Sequence, residues 1–118
     1  MEGTVPEAIG ILRGTLDVLV LRALLGGPLH GYQVSEWFDQ RARHDLSVLD
    51  SAIYQSLYRL ERQRFITAEW GVSANNRQAR YYRLTAKGRA SLRAETTSWL
   101  RYAAAVTALL TEAEPAAG

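Results

Sequence analysis

Apolar residues begin to recur with helical spacing at Leu16, where Leu16, Leu19, Val20, Ala23 and Leu24 fall on one face. Thr15 is placed to cap this helix, and Gly26, Gly27 and Pro28 end it, because glycine tolerates the left-handed conformation and proline cannot continue a helix. A second helix is predicted from Gly31 to Arg43, with Val34, Trp37 and Phe38 along an apolar stripe continued by Arg41, and Glu36, Asp39 and Gln40 outside. A third is predicted from Ser47 to Arg64. Ser47 and Asp50 have the spacing of a capping box, and Leu49, Ile53, Leu57 and Leu60 make its buried stripe. Its other face carries Ser51, Gln55, Tyr58, Arg59 and Arg62, groups that no core requires.

The period then changes from helix to strand. Ile66 to Trp70 and Ala79 to Leu84 are rich in β-branched and aromatic residues and flank a polar loop, Gly71 to Gln78, as in a β-hairpin. Tyr82 and Leu84 share the core face, with Tyr81 and Arg83 on the other. Thr85 caps a last helix that has Gly88 in its first turn and is periodic to Leu110. Helix, helix, helix, hairpin, helix, without internal repeat, is the order of a mainly α (α+β) winged helix-turn-helix DNA-binding domain with a long C-terminal dimerisation helix. The expected divisions are a flexible arm over 1–10, the winged domain over 11–87, the dimerisation helix over 88–110 and a disordered tail over 111–118.

The chain has 118 residues, the size of one domain, and no cysteine. The absence of cysteine excludes Cys-ligated zinc, iron–sulfur clusters, thiol nucleophiles and disulfides. No apolar run approaches the ~20 residues of a membrane span, and the N-terminus lacks the basic-then-apolar pattern of a secretory signal, so the expectation is a cytoplasmic protein with no membrane partner. The formal charge of +2 hides a polarised distribution. Residues 1–51 carry four basic and seven acidic side chains, whereas residues 52–101 carry ten and three. Thirteen of the 14 cations are arginine, which suggests a localised anionic partner, most often nucleic acid, against the plainer reading of a solvated charged face.

A helix followed at once by a hairpin suits duplex DNA, because the major groove admits one helix and a hairpin can reach the neighbouring groove or phosphates. Gln55 and Arg59 have donor forks that match adenine and guanine edges, while Ser51 lies near the helix N-terminus, where short side chains and free N–H groups accommodate phosphate, and Ala52 is placed in the DNA-binding set. Arg62 lies further along and reads as a positioning contact. Asn76 and Arg77 sit at the hairpin tip with Arg80 on the return strand, suited to phosphate or a narrow minor groove. Tyr32 and Tyr54 read as core or phosphate-contacting aromatics, and both are placed in the DNA-binding set.

In the last helix Leu92, Thr96, Trp99, Ala103, Val106 and Leu110 recur at spacings of four and three, the 3.5-residue period of a helical seam. The helix would be longer than so small a core can cover, so a second copy of the chain is expected on it, with Leu16 assigned to the same seam. Trp99 near a two-fold axis, with Tyr102 beside it, could stack on a small aromatic effector; the plainer reading is an interface anchor. Catalysis has little support. His30 and His44 lack partners at metal-ligand spacing, Gly26-Gly27 lacks the rest of a phosphate loop, and neither an enzyme, a metal nor a cofactor is expected.

The stretches Leu12 to Leu21, Gly27-Pro28-Leu29-His30-Gly31-Tyr32, Ile53 to Glu61 and Arg80 to Gly88 together resemble the PadR-like transcriptional regulators, over essentially Ile11 to Leu110. The single helix after the hairpin is similar to the compact subgroup. The resemblance implies a homodimeric repressor that binds an inverted repeat with its third helix in the major groove and its wing on the flanking groove. It also implies that Trp99 could line a cavity at the dimer centre, since some members release DNA on binding phenolic or drug-like aromatics. The chain departs from the family's usual Gly-Thr-Leu-Tyr-Pro at the start of the recognition helix, where Ser51-Ala52-Ile53-Tyr54-Gln55 keeps only the tyrosine. The alternative is a winged-helix module that docks a protein partner and does not read DNA.

Overall fold

The first helix, α1, spans Thr15–Ala23, and its N-cap is Gly14 at φ 89° rather than the expected Thr15. That left-handed angle suits glycine and would strain a β-branched residue, so the threonine enters the helix and its hydroxyl is free for another contact. The computed structural model describes residues 14–42 and 45–115, together with the backbone of Ile9–Gly10. A 3₁₀ turn over Leu24–Gly26 and Gly27 at φ 138° lead the chain away from α1.

Leu29–His30 form a short strand before α2, Gly31–Ala42. His30 and Gln33 make a reciprocal cap at the start of α2: the His30 backbone N–H donates to Gln33 Oε1 (3.1 Å) and the Gln33 N–H to His30 Nδ1 (3.3 Å). The expected Arg43 end of this helix and His44 lie outside the described residues. The third helix, α3, runs over Asp50–Arg62 with Leu49 as N-cap and no side-chain cap, so the Ser47–Asp50 box does not form. Ser47 instead pairs in parallel with Gly10, and Asp50 accepts from Ser35 Oγ at 2.6 Å. Leu49, on extended backbone before the helix, leaves the buried stripe and is 69% exposed. At the other end the Phe65 N–H bonds to Leu60 O and the Arg64 N–H to Glu61 O, each at 3.0 Å, with Arg64 at φ 66°. This Schellman turn ends α3 two residues earlier than the expected Arg64.

In chain order the strands are β1 Ile9–Gly10, β2 Leu29–His30, β3 Leu46–Ser47, β4 Ile66–Val72 and β5 Gln78–Leu84. Strands β1 and β3 pair with each other, which places the end of the expected N-terminal arm in a strand. The wing is a three-stranded antiparallel sheet in the order β2-β5-β4, with β4 and β5 in register from Ile66↔Leu84 to Val72↔Gln78. Gly71, Val72 and Gln78, expected in the loop, belong to the strands. The remaining turn is closed by Ser73 N–H to Arg77 O (2.8 Å) and Asn76 N–H to Ser73 O (2.9 Å), with Asn76 at φ 60° as a three-residue hairpin loop requires.

The last helix, α4, spans Ala86–Leu110, and the predicted Thr85 cap is present, its Oγ1 accepting the Gly88 N–H at 3.0 Å. Gly88 lies on the backbone of Phe65: a Cβ there would sit 1.9 Å from the Phe65 carbonyl oxygen. The core gathers Val20, Leu21 and Leu24 of α1, Val34 and Phe38 of α2, Ile53, Leu57 and Leu60 of α3, Ile66 and Leu84 of the wing, and Leu92 of α4. Leu16 and Leu92, both assigned to the dimer seam, are members of this core and only 7% and 6% exposed. Packing within one chain already satisfies them, which leaves little of either for a second chain. Beyond Leu92, α4 runs out from the core with only Ala103 and Val106 partly covered.

Candidate nucleic-acid interface

On α3 the residues opposite the buried Ile53, Leu57 and Leu60 are Ser51, Gln55, Tyr58 and Arg62, all exposed, with Ala52 partly covered beside them. The 3.6-residue period that buries one stripe necessarily displays this one. Arg62 is held over the Tyr58 ring, its guanidinium carbon 5.6 Å from the centroid.

Each flank of the face is closed by an ion pair. Toward α1, Arg59 Nη2 donates to Asp17 Oδ1 at 2.6 Å and its Nε to Oδ2 at 3.4 Å, while the hydroxyl of the fully buried Ser56 donates to the same Oδ1 at 2.6 Å. The hydrogen bond to Asp17 raises the Arg59 pKa above its ordinary value, outweighing the opposing effect of burial. Toward the wing, Arg80 Nη2 donates to Glu61 Oε2 at 2.7 Å and its guanidinium lies 5.8 Å from the Tyr82 centroid, tying β5 to the end of α3. Burial pushes the Tyr82 phenol up, with the neighbouring Arg80 acting the other way.

Between wing and helices lies an open cleft of about 870 Å³ lined by Tyr32, Tyr54, Trp70, Arg77 and Arg80, among others. Gly31 admits the Tyr54 ring to this position, since a Cβ there would meet the ring at 2.4 Å. Arg77 is exposed and has no ion-pair partner among the described residues; its backbone N–H reaches Ser73 Oγ at 3.4 Å. Asn76 is exposed and supplies the left-handed turn.

The ten expected DNA contacts thus fall into two sets. Tyr32, Tyr54, Arg77 and Arg80 line the cleft, Asn76 lies in the hairpin turn, and Ser51, Ala52, Gln55, Arg59 and Arg62 lie on the helix face. Two of the cations, Arg59 and Arg80, are paired with the chain's own carboxylates, which the sequence reading did not anticipate. It also missed Asp17, Glu61 and Trp70. The strand alternation that turns Ile66 and Ala68 inward carries Trp70 to the same face beyond the core, where it is 67% exposed.

The residues assigned to the second chain are divided. Trp99 Nε1–H donates to Thr15 Oγ1 at 3.2 Å, which anchors the indole on α1 and leaves it 40% exposed. Thr96, Tyr102 and Leu110 are exposed, and Ala103 and Val106 are partly so. No helix among the described residues is long and apolar enough to cross a membrane.

Three helices around one core, the third with a displayed face, and a three-stranded wing make this a winged helix-turn-helix protein with one long additional helix. A family model described as "Transcriptional regulator PadR-like family" matches residues 20–94, and the chain belongs to that family. It is similar to a PadR family transcriptional regulator of Eggerthella lenta, 31% identical, with a TM-score of 0.69 over 86% of each chain. It is 30% identical over 89 residues to an uncharacterised protein of Lysinibacillus sphaericus, spanning 75% of this chain and 82% of that one. The structure of Bacillus subtilis PadR in complex with operator DNA shares the fold at a TM-score of 0.61 and 24% identity, covering 88% of this chain and 51% of that one.

Proposed function

We propose that the chain is a cytoplasmic, homodimeric, sequence-specific repressor that binds an inverted repeat in double-stranded DNA. The carrying observation is the displayed face of α3, with Gln55, Arg59 and Arg62 beside the wing's Arg77, in a segment with ten basic and three acidic residues. Gln55 and Arg59 read base edges, Ser51, Ala52, Tyr32, Tyr54 and Arg62 position the helix on the backbone, and Asn76, Arg77 and Arg80 place the wing on the flanking groove. The operator complex of Bacillus subtilis PadR, a protein of the same fold, supports this reading. The apolar outer half of α4, with Trp99, Ala103, Val106 and Leu110, supports a second copy as its cover. A small aromatic effector stacks on the exposed part of Trp99 with Tyr102 near it.

Selection of duplexes from a random pool by the purified protein at ~0.15 M salt, near physiological ionic strength, tests this reading. An enriched inverted repeat is the expected result, and no enrichment would overturn it. One observation favours a second reading, a protein-docking module: pairing of Arg59 and Arg80 with Asp17 and Glu61 halves the free cations of the interface. Duplex affinity that falls steeply with salt separates the two, because counterion release demands it.

A further inference from the structure

We propose that Asp17 is a positioning residue for base recognition: it clamps the inner edge of the Arg59 guanidinium and presents the outer edge to a guanine in the major groove. The inference rests on the DNA-reading function proposed above and assigns to α1 a part in it. A guanidinium carries five N–H groups in a rigid fork. Asp17 takes Nε and one hydrogen of Nη2, at 3.4 and 2.6 Å, so the outer edge, Nη1 with the second Nη2 hydrogen, has no partner among the described residues. That is the edge whose spacing matches O6 and N7 of guanine. Half of the Arg59 side chain remains exposed, as a group with one edge occupied and one displayed must be.

The clamp is itself held. Asp17 stands in the first turn of α1, where the helix dipole favours a carboxylate, and its Oδ1 receives the hydroxyl of the fully buried Ser56 at 2.6 Å. Ser56 and Arg59 are three residues apart on α3, so both reach the same carboxylate from one side of the helix. An arginine without such a tie would bind whichever phosphate came near, and phosphate contacts carry no sequence information. Pairing with Asp17 withdraws this cation from non-specific binding and keeps it in register for a base.

The test uses the full chain, the duplex enriched by the selection above and a random-sequence duplex, titrated between about 50 and about 200 mM salt. Asp17→Asn is expected to lower the enriched-to-random affinity ratio at least about fivefold, the discrimination of a weakened bidentate contact. It should also steepen the log–log salt slope on the random duplex by about 0.9, one added phosphate contact. Both changes should vanish when Arg59→Ala is already present. An unchanged ratio and slope in Asp17→Asn, or equal changes with and without Arg59, would overturn the inference, because Asp17 would then act only on the fold. A selection that enriches no duplex would remove the DNA-reading function and this inference with it, an outcome distinct from the other two. The Arg59 Nε–H resonance of the wild-type protein gives a check independent of whether the variants fold. It should keep its free-protein position on the random duplex, and a shift there overturns the clamp.

Discussion

The helices α3 and α4 solve opposite problems. In 13 residues α3 buries Ile53, Ser56, Leu57 and Leu60 and displays serine, glutamine, tyrosine and arginine, a face that water already satisfies. In 25 residues α4 buries only Gly88 and Leu92 and displays Leu100, Tyr102, Leu109 and Leu110, a face that water does not. Apolar area left in water forgoes roughly 25 cal/mol per Å², so α4 gains stability from an apolar cover in a way that α3 does not. On the proposed function, α3 offers a surface for a ligand that comes and goes with salt, and α4 a surface for a lasting partner. The proposed dimeric regulator needs one of each.

The largest effect expected strikes where the start of α4 lies on the turn that ends α3. Gly88→Ala drives a methyl into the Phe65 carbonyl at the exit of α3, and since that neighbour is backbone, α4 must move. A loss of about 3 kcal/mol is expected, lowering Tm by about 12 °C or more in circular-dichroism melts; an unchanged melt would mean α4 does not cross so close to the wing. Next comes Val106→Glu on the outer half of α4. A carboxylate in an apolar seam should raise the dimer dissociation constant about 30-fold or more, roughly 2 kcal/mol, while each protomer remains helical. Sedimentation that gives the same dimer for both proteins would remove α4 from the interface.

Periodicity made α2, the buried stripe of α3 and the length of α4 legible in the sequence, and turn chemistry identified the Thr85 cap. Local motifs failed where tertiary contacts competed for the same groups. Thr15 yielded its capping position to Gly14, which alone takes φ 89° without strain, and Ser47 was taken by β1 before it could cap α3. The strand at Leu29–His30 is two residues long, too short to have a period, and exists only because β5 pairs with it. The 3.5-residue period on α4 could not tell buried from displayed positions: Leu92 and Leu110 lie on the same apolar stripe, yet the first is 6% and the second 79% exposed. Nor does charge along the chain reveal pairing. Asp17 and Arg59 are 42 residues apart and Glu61 and Arg80 19 apart, so the sequence offered four cations at the interface where the fold leaves two tied.

The smaller predictions sharpen the contrast within the charged face itself. Arg59→Ala should cost about 1–3 kcal/mol on the enriched duplex and much less on a random one; equal losses would remove its base-reading role. Arg77→Ala, at the free tip of the wing, should weaken all duplexes alike and lower the salt slope by about 0.9, the signature of one phosphate contact. The smallest effect belongs to Arg83→Ala. Arg83 is on the wing's outer face, more than half exposed and paired with Glu69 at 2.8 Å, which itself is 68% exposed. Exposed pairs of this kind contribute roughly 0–1 kcal/mol, so stability should change little and the salt slope should not change. Arg77 and Arg83 carry the same charge on the same hairpin. A slope that responded equally to both would mean that the duplex senses the net charge of the wing rather than the face the fold displays.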